Sequence, residues 1–293
     1  MIVKNPIIFT EDPVLFLNFE SIDTKETDNI ELHIDGRDFN REEGKIYYSL
    51  DFELPNGFII PNVREQHVNV FEKKYDKIFT ICPYTVKLRN KALGKELYYY
   101  TYYPSPTTWT RKNEKIYDII YVGGGSDYLL TDKILKYNYL VVNKFHEKYT
   151  NVFNVTFNEK LDFISKSKIA IVHNVIRVDL NNWDVNAGES FLNIKNGLGF
   201  PSITQHKSRV IEAARCGALI LCKEDDFNII EDFFIPNVDF IYFNDYNFDD
   251  IVKDILDNYE NEKYQKIINN AYNKVDTLYN IKNFYNDNIK KNE

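Results

Sequence analysis

The chain has 293 residues, a formal net charge of -8 and 44% hydrophobic residues. That length buries one large core or two medium ones, and the acidic balance argues against a broad nucleic-acid surface while leaving room for a local basic cleft. Cys82, Cys216 and Cys222 have neither metal-ligand nor disulfide spacing, no stretch reads as a signal peptide and no apolar run approaches a membrane span, so a reducing, cytoplasmic setting is expected.

Residues 1–105 read as an N-terminal α/β domain. Residues 7–9 and 14–17 are short strand-like runs, separated by Glu11, Asp12 and Pro13. The alternating segment 31–34 contains His33 and turns at Asp35 and Gly36. Residues 45–50 form another strand, which ends in Asp51, Phe52 and Glu53 before a Pro-Asn-Gly turn. Val63, Val68 and Phe71 give helical spacing over 62–74. A strand over 77–82 leads to a helix opened by Pro83 and stopped by Gly94, and a last strand covers 98–103. This alternation predicts a parallel sheet with helices on its faces. Pro104 and Pro106 favour an extended crossing, so a second domain is placed at 106–293.

The second domain opens with a strand at 115–122 that runs into Gly123, Gly124, Gly125, Ser126 and Asp127. Backbone amides in such a turn can approach a phosphate, and open α/β sheets present ligands at strand ends. The turn lacks the third glycine of a dinucleotide fingerprint and no Gly-Lys-Ser/Thr follows, so a P-loop is excluded and a nicotinamide enzyme is disfavoured. A helical piece at 131–136, a strand at 139–142, a helix at 159–165 and a strand at 169–172 follow. His173 and Asn174 end that strand, where a nucleotide would lie over a doubly wound sheet, and Arg177 comes a few residues later. Residues 181–200 form a long irregular stretch of the kind that often precedes a binding helix.

Residues 207–215 then suit a helix with Val210, Ile211, Ala213 and Ala214 on its apolar face, Gly217 ends it, and 218–222 is a buried strand. Gln205, His206, Lys207, Ser208 and Arg209 crowd the helix start, with Glu212 just beyond. A helix N-terminus with added cations is an anion site, and phosphate is its usual occupant. A short helix at 229–234 and a strand at 240–243 follow. Asp249 and Asp250 are placed to cap a helix starting at Ile251. Ile255, Leu256, Tyr259, Tyr264, Ile267, Ile268, Ala271, Val275 and Leu278 then predict a pair of amphipathic helices broken near Asn261.

The run from Lys207 through Arg209, Glu212, Cys216 and Gly217 into the apolar strand resembles the donor-site helix of GT-B glycosyltransferases, above all the spore-maturation glycosyltransferase-like group. The resemblance implies two Rossmann-like, doubly wound α/β domains facing a cleft. It further implies a glycosyltransferase that uses a nucleotide-sugar donor, UDP- or GDP-linked, with no cofactor and no metal. On this resemblance Glu212 would hold the ribose, and Lys207 or Arg209 the diphosphate. Gly124, Gly125, Ser126, His173, Asn174, Gln205, His206 and Ser208 complete the expected donor contacts. Retaining relatives have a second Glu about seven residues before the first, where this chain has Thr204 and Gln205, so the stereochemistry is left open. The phrase Asp76 to Pro83 is similar to the strand–turn found late in GT-B N-terminal domains, and a C-terminal helix that returns to the first domain is also implied.

Transfer requires that charge developing on the departing phosphate be stabilised and that an acceptor hydroxyl be activated. The chain has no Asp-x-Asp motif, so Lys207 and Arg209 are the expected answer to the first need. For the second, Asp12, His33, Asp35, Asp51 and Glu53 lie near strand ends, with Asp51 favoured because it directly ends a strand. The acceptor is a glycan, a small molecule or a modified base. Two other readings stand beside this one: a viral or phage-type enzyme glycosylating modified DNA bases, and a GT-B relative that binds nucleotide or glycan without turnover.

Overall fold

Short runs of Ile, Val, Leu and aromatic residues, covered on both faces, make the strands of two parallel sheets in the computed structural model. It describes residues 2–4, 29–34, 40–51, 72–105, 109, 111–112, 114–123, 132–142, 149–153, 155–177, 202–204 and 206–290. In chain order the elements begin with β1 (Ile2–Lys4), β2 (Ile30–Ile34), β3 (Ile46–Asp51), β4 (Lys77–Thr80), α1 (Pro83–Leu93) and β5 (Tyr98–Tyr100). They continue with β6 (Tyr117–Val122), β7 (Tyr139–Val142), α2 (Phe157–Ser165), β8 (Ser167–Val172), β9 (Val175–Arg177) and β10 (Ser202–Thr204). Last come α3 (Ser208–Arg215), β11 (Leu219–Lys223), β12 (Ile241–Phe243), α4 (Phe248–Asp257), α5 (Glu262–Thr277) and α6 (Ile281–Asn288). Among the described residues no helix is long and apolar enough to cross a membrane.

Two compact units result. Residues 1–106, 175–206 and 281–293 form the first, and 107–174 with 207–280 form the second.

In the first unit β1 to β5 pair in parallel and in sequence order, with His33 opposite Ser49 and Asp51 opposite Thr80. Pro83 opens α1 because its fixed φ suits a first helical turn, and Gly94 closes it at φ +63. Val86 and Leu93 of α1 pack on Tyr47, Ile78 and Tyr98. Strands β9 and β10 pair antiparallel. Helix α6 belongs to this unit, where the Phe284 ring meets Phe79 edge-on at 5.5 Å and Tyr102 at 6.3 Å.

In the second unit the strand order is β12-β11-β8-β6-β7, all parallel. Read from the β7 edge, the five strands come second, first, third, fourth and fifth in the chain, a doubly wound order that reverses between β6 and β8. Ile119, Tyr121, Ile169, Ile171, Leu219 and Leu221 of the sheet pack with Val252 and Ile255 of α4 and Ile267 and Ile268 of α5. Each aliphatic side chain so buried stabilises the fold by about 1.5–3 kcal/mol. Gly217 has φ +66, and a Cβ there would lie 2.9 Å from Arg111 Cδ, so glycine alone fits this helix stop.

Several boundaries differ from those expected. Helix α4 starts at Phe248 rather than Ile251, so Asp249 and Asp250 lie in its first turn, where they act on the helix dipole instead of capping, and Asp249 also pairs with Lys133 and Lys136. Strand β5 stops at Tyr100. Three C-terminal helices form, since Ile281, Phe284 and Tyr285 give α6 its own buried face. Leu278, expected on an apolar face, is 51% exposed because α5 has already ended. The strand-like runs at 7–9 and 14–17, most of the helix expected at 62–74 and the stretch 181–200 lie outside the described residues.

Candidate functional site

Strands β6 and β8 carry the topological reversal of the second unit, and the residues at their C-terminal ends meet the start of α3. Asn174, fully buried just past β8, accepts the Lys207 N–H on its Oδ1 at 3.2 Å and donates from Nδ2 to Cys222 Sγ at 3.8 Å. One side chain thus ties the start of α3 to β8 and β11. Lys207 is the N-cap of α3, with no side-chain cap hydrogen bond and no acidic residue in the first turn. The helix itself thus supplies no negative charge to the positive end of its dipole.

Arg209 is held firmly at this place. Its Nη1 donates to the Tyr121 hydroxyl at 2.9 Å and to His173 Nε2 at 3.0 Å. A guanidinium can only donate, so Nε2 is the acceptor in this contact. The Tyr121 hydroxyl also lies 3.1 Å from Nε2, and the two rings stack at 6.1 Å and 17°. Arg209 Cζ sits 5.3 Å from the Tyr121 ring centroid, a cation–π contact. Gly123 completes the seat at φ +118, where an added Cβ would lie 2.5 Å from Nη2. Nε and Nη2 of Arg209 have no hydrogen bond among the described residues, and a guanidinium edge is the group that can donate to an oxyanion in a bidentate pair.

Glu212, buried one turn further along α3, accepts Lys160 Nζ on Oε1 at 2.9 Å. Lys160 follows the capping box of α2, in which Thr156 Oγ1 accepts the Glu159 N–H at 3.2 Å and Glu159 Oε2 accepts the Thr156 N–H at 2.8 Å. Its ammonium also lies 3.8 Å from the Phe157 ring centroid.

The second unit therefore gathers Gly123, His173, Asn174, Lys207, Ser208, Arg209 and Glu212, with Ser208 opening α3. His206 packs in the first unit, where it stacks on Tyr100 and donates its backbone N–H to Ile81 O at 3.3 Å. His33 is built into the interior of the first sheet at 1% exposure: Nε2 meets Glu31 Oε1 at 2.7 Å, and Nδ1 lies 2.9 Å from the Tyr75 hydroxyl. The backbone of Asp51 ends β3, while its side chain lies outside the described residues, as do Asp12, Asp35, Glu53, Gly124, Gly125, Ser126, Gln205 and the Arg177 side chain.

Tyr121 and Lys160 were not legible as site residues. Tyr121 carries one hint, a hydroxyl-bearing ring among aliphatics directly before the glycine turn. Lys160 has none, because its partner lies 52 positions away.

A doubly wound second unit, in one chain with a parallel α/β first unit, is the GT-B architecture. Solved structures share it. Anabaena HepE, solved with UDP and glucose, superposes with a TM-score of 0.53 at 9% identity over 90% of this chain and 77% of its own. A mutant of S. aureus TarM, solved with fondaparinux, alpha-GlcNAc-glycerol and UDP, gives 0.53 at 10% identity over 85% of this chain and 52% of its own. The chain thus spans about half the length of TarM, and at these identities the likeness is one of fold. The sequence model of the glycosyl transferase-like family matches residues 133–287, more than half of the chain, and the chain belongs to that family. No curated protein sequence matches it.

Proposed function

We propose that the protein transfers a sugar from a nucleoside diphosphate sugar to an acceptor hydroxyl, and that the donor diphosphate lies at the start of α3. The observation that carries this reading is the Arg209 seat beside the Gly123 turn: one nitrogen is fixed by Tyr121 and His173, and the other two have no hydrogen bond among the described residues. An aromatic- and imidazole-braced arginine next to an uncapped helix start stabilises a phosphate whose charge grows as the glycosidic bond breaks. Being fixed beforehand, it needs no reorganisation at the moment of transfer.

In this reading Arg209, Lys207 and the α3 amides meet the phosphate charge without a metal, Gly123, Gly124, Gly125 and Ser126 are assigned to the diphosphate, and Glu212 receives the ribose hydroxyls. Asp51 is the base we assign to the acceptor. Within the family, Arg209, Glu212, Cys216 and Gly217 at their spacing favour the spore-maturation-like group. The complexes of HepE and TarM with UDP make a uridine donor the first to test.

The test is release of nucleoside diphosphate from a panel of UDP- and GDP-sugars, with glycan and small-molecule acceptors and with water alone. Release from one donor, enhanced by an acceptor and lost in Arg209→Gln, is the expected result. Binding of a donor without release under any condition would leave a nucleotide-binding protein and remove the transferase reading.

A further inference from the structure

Arg209 and Glu212 are one helical turn apart, a spacing at which arginine and glutamate side chains meet. Here they do not pair. Arg209 is engaged by Tyr121 and His173, and Glu212 by Lys160. Every residue from Val210 to Arg215 of α3 is buried, so the Glu212 carboxylate sits where an uncompensated charge is costly. Lys160 supplies the compensation from a different helix. Its own place is set by the Thr156–Glu159 capping box, by its backbone N–H to Thr156 O at 2.9 Å and by the Phe157 ring beneath its ammonium.

The contact is one-sided. Lys160 reaches Oε1 at 2.9 Å, and among the described residues no other hydrogen bond reaches the carboxylate, which leaves Oε2 without a protein donor there. An ionised carboxylate only accepts, and with one oxygen tied it offers the remaining lone pairs to a partner that donates. Adjacent hydroxyls on one ring, such as the 2′- and 3′-hydroxyls of a ribose, are such a partner.

We infer that Lys160 is the positioning residue for Glu212: it holds the carboxylate in one rotamer and away from Arg209, so that Glu212 selects ribonucleotide over 2′-deoxyribonucleotide donors. The inference rests on the donor site proposed above and deepens it. Lys160 is assigned no contact with the donor, so the effect expected of it is on discrimination rather than on phosphate binding as such.

The experiment is calorimetric titration with UDP and 2′-deoxy-UDP, and in parallel GDP and 2′-deoxy-GDP, of the wild type, Lys160→Met, Lys160→Arg and Glu212→Gln. The ratio of two affinities on one preparation does not depend on the folded fraction, so partial loss of fold in a variant does not blur the result. The wild type is expected to prefer the ribonucleotide by about tenfold or more, because a site built to bind a hydroxyl rejects the analogue that lacks it. Lys160→Met is expected to lose that preference as Glu212→Gln does, and Lys160→Arg to keep it. A Lys160→Met protein with the wild-type preference would overturn the positioning role while leaving the donor site intact. A wild type that binds ribo- and deoxyribonucleotides equally would overturn the inference at Glu212 itself. A wild type that binds no nucleoside diphosphate would overturn the donor reading beneath it.

Discussion

Gly123 and Arg209 compete for one volume: a Cβ on Gly123 would lie 2.5 Å from Arg209 Nη2 and 2.9 Å from Cζ. The strand end and the helix start are thus fitted through a missing side chain, and the φ of +118 at Gly123 would strain any other residue. Gly123→Ala is expected to push the guanidinium out of its seat. Nucleoside diphosphate affinity should fall by about tenfold or more, the cost of a misplaced charge-assisted pair, with roughly 1–3 kcal/mol of backbone strain shown by chemical denaturation. Unchanged affinity in a folded variant would detach Gly123 from the site.

The Tyr121 hydroxyl gives a finer test. Tyr121→Phe keeps the ring, the stacking on His173 and the cation–π contact, and removes the hydroxyl that accepts from Arg209 Nη1 at 2.9 Å and lies 3.1 Å from His173 Nε2. Affinity for nucleoside diphosphate should fall roughly three- to tenfold, the range of one lost hydrogen bond. Titration calorimetry measures it, and a loss of fold instead of affinity would make Tyr121 a core residue only.

Much of this arrangement was legible in the residues, and the part that was not has a physical cause. Strand and helix periods, with Gly94 and Gly217 as stops, mark β2, β3, β4, α1, β6, α3 and β11, because those signals are local. The crowding of Lys207, Ser208 and Arg209 before Glu212 at one helix start is legible for the same reason. What Arg209 and Glu212 lean on is not local: Tyr121 is 88 positions from Arg209 and Lys160 is 52 from Glu212. The pairings exist only once β6, α2 and α3 are packed. His33 is the converse case, since a histidine near a strand end looks available until Glu31 and Tyr75 close on both ring nitrogens.

Lys115 carries a partly buried ammonium in the second unit, where Nζ donates to Ser165 O at 2.8 Å and Gly217 O at 2.7 Å. Burial pushes it down to about 8, with the nearby Cys216 acting to raise it and Arg111 to lower it. The unfolded chain keeps this proton to about pH 10.4. Between those values the unfolded state binds more protons, so the penalty for the buried charge is fully present below pH 8 and is relieved as pH rises toward 10.4. The stability of the wild type relative to Lys115→Met should therefore increase from pH 7 to pH 10 in urea denaturation. A pH-independent difference would contradict the burial of the charge.

Cys82, Cys216 and Cys222 are all buried, and burial pushes the Cys216 and Cys222 thiols up. The folded protein should show no fast-reacting thiol toward a disulfide reagent, and all three should react once it is denatured. A fast-reacting thiol in the native protein would place one of them at the surface.

Helix α6 tests the architecture of the first unit. Phe284 is fully buried against Phe79 and Tyr102, so Phe284→Ala should cost about 3–5 kcal/mol of stability through the cavity it leaves. Chemical denaturation measures the change, and a cost near zero would mean that α6 does not pack there.

The most direct test of the donor site is calorimetric titration of UDP and GDP into the wild type and into Arg209→Gln under the same salt conditions. The account predicts that one of the two nucleotides binds the wild type and that Arg209→Gln weakens it by about tenfold or more, the loss of a charge-assisted bidentate pair. Equal affinity in the two proteins would show that Arg209 does not hold the diphosphate and would remove the site from the start of α3.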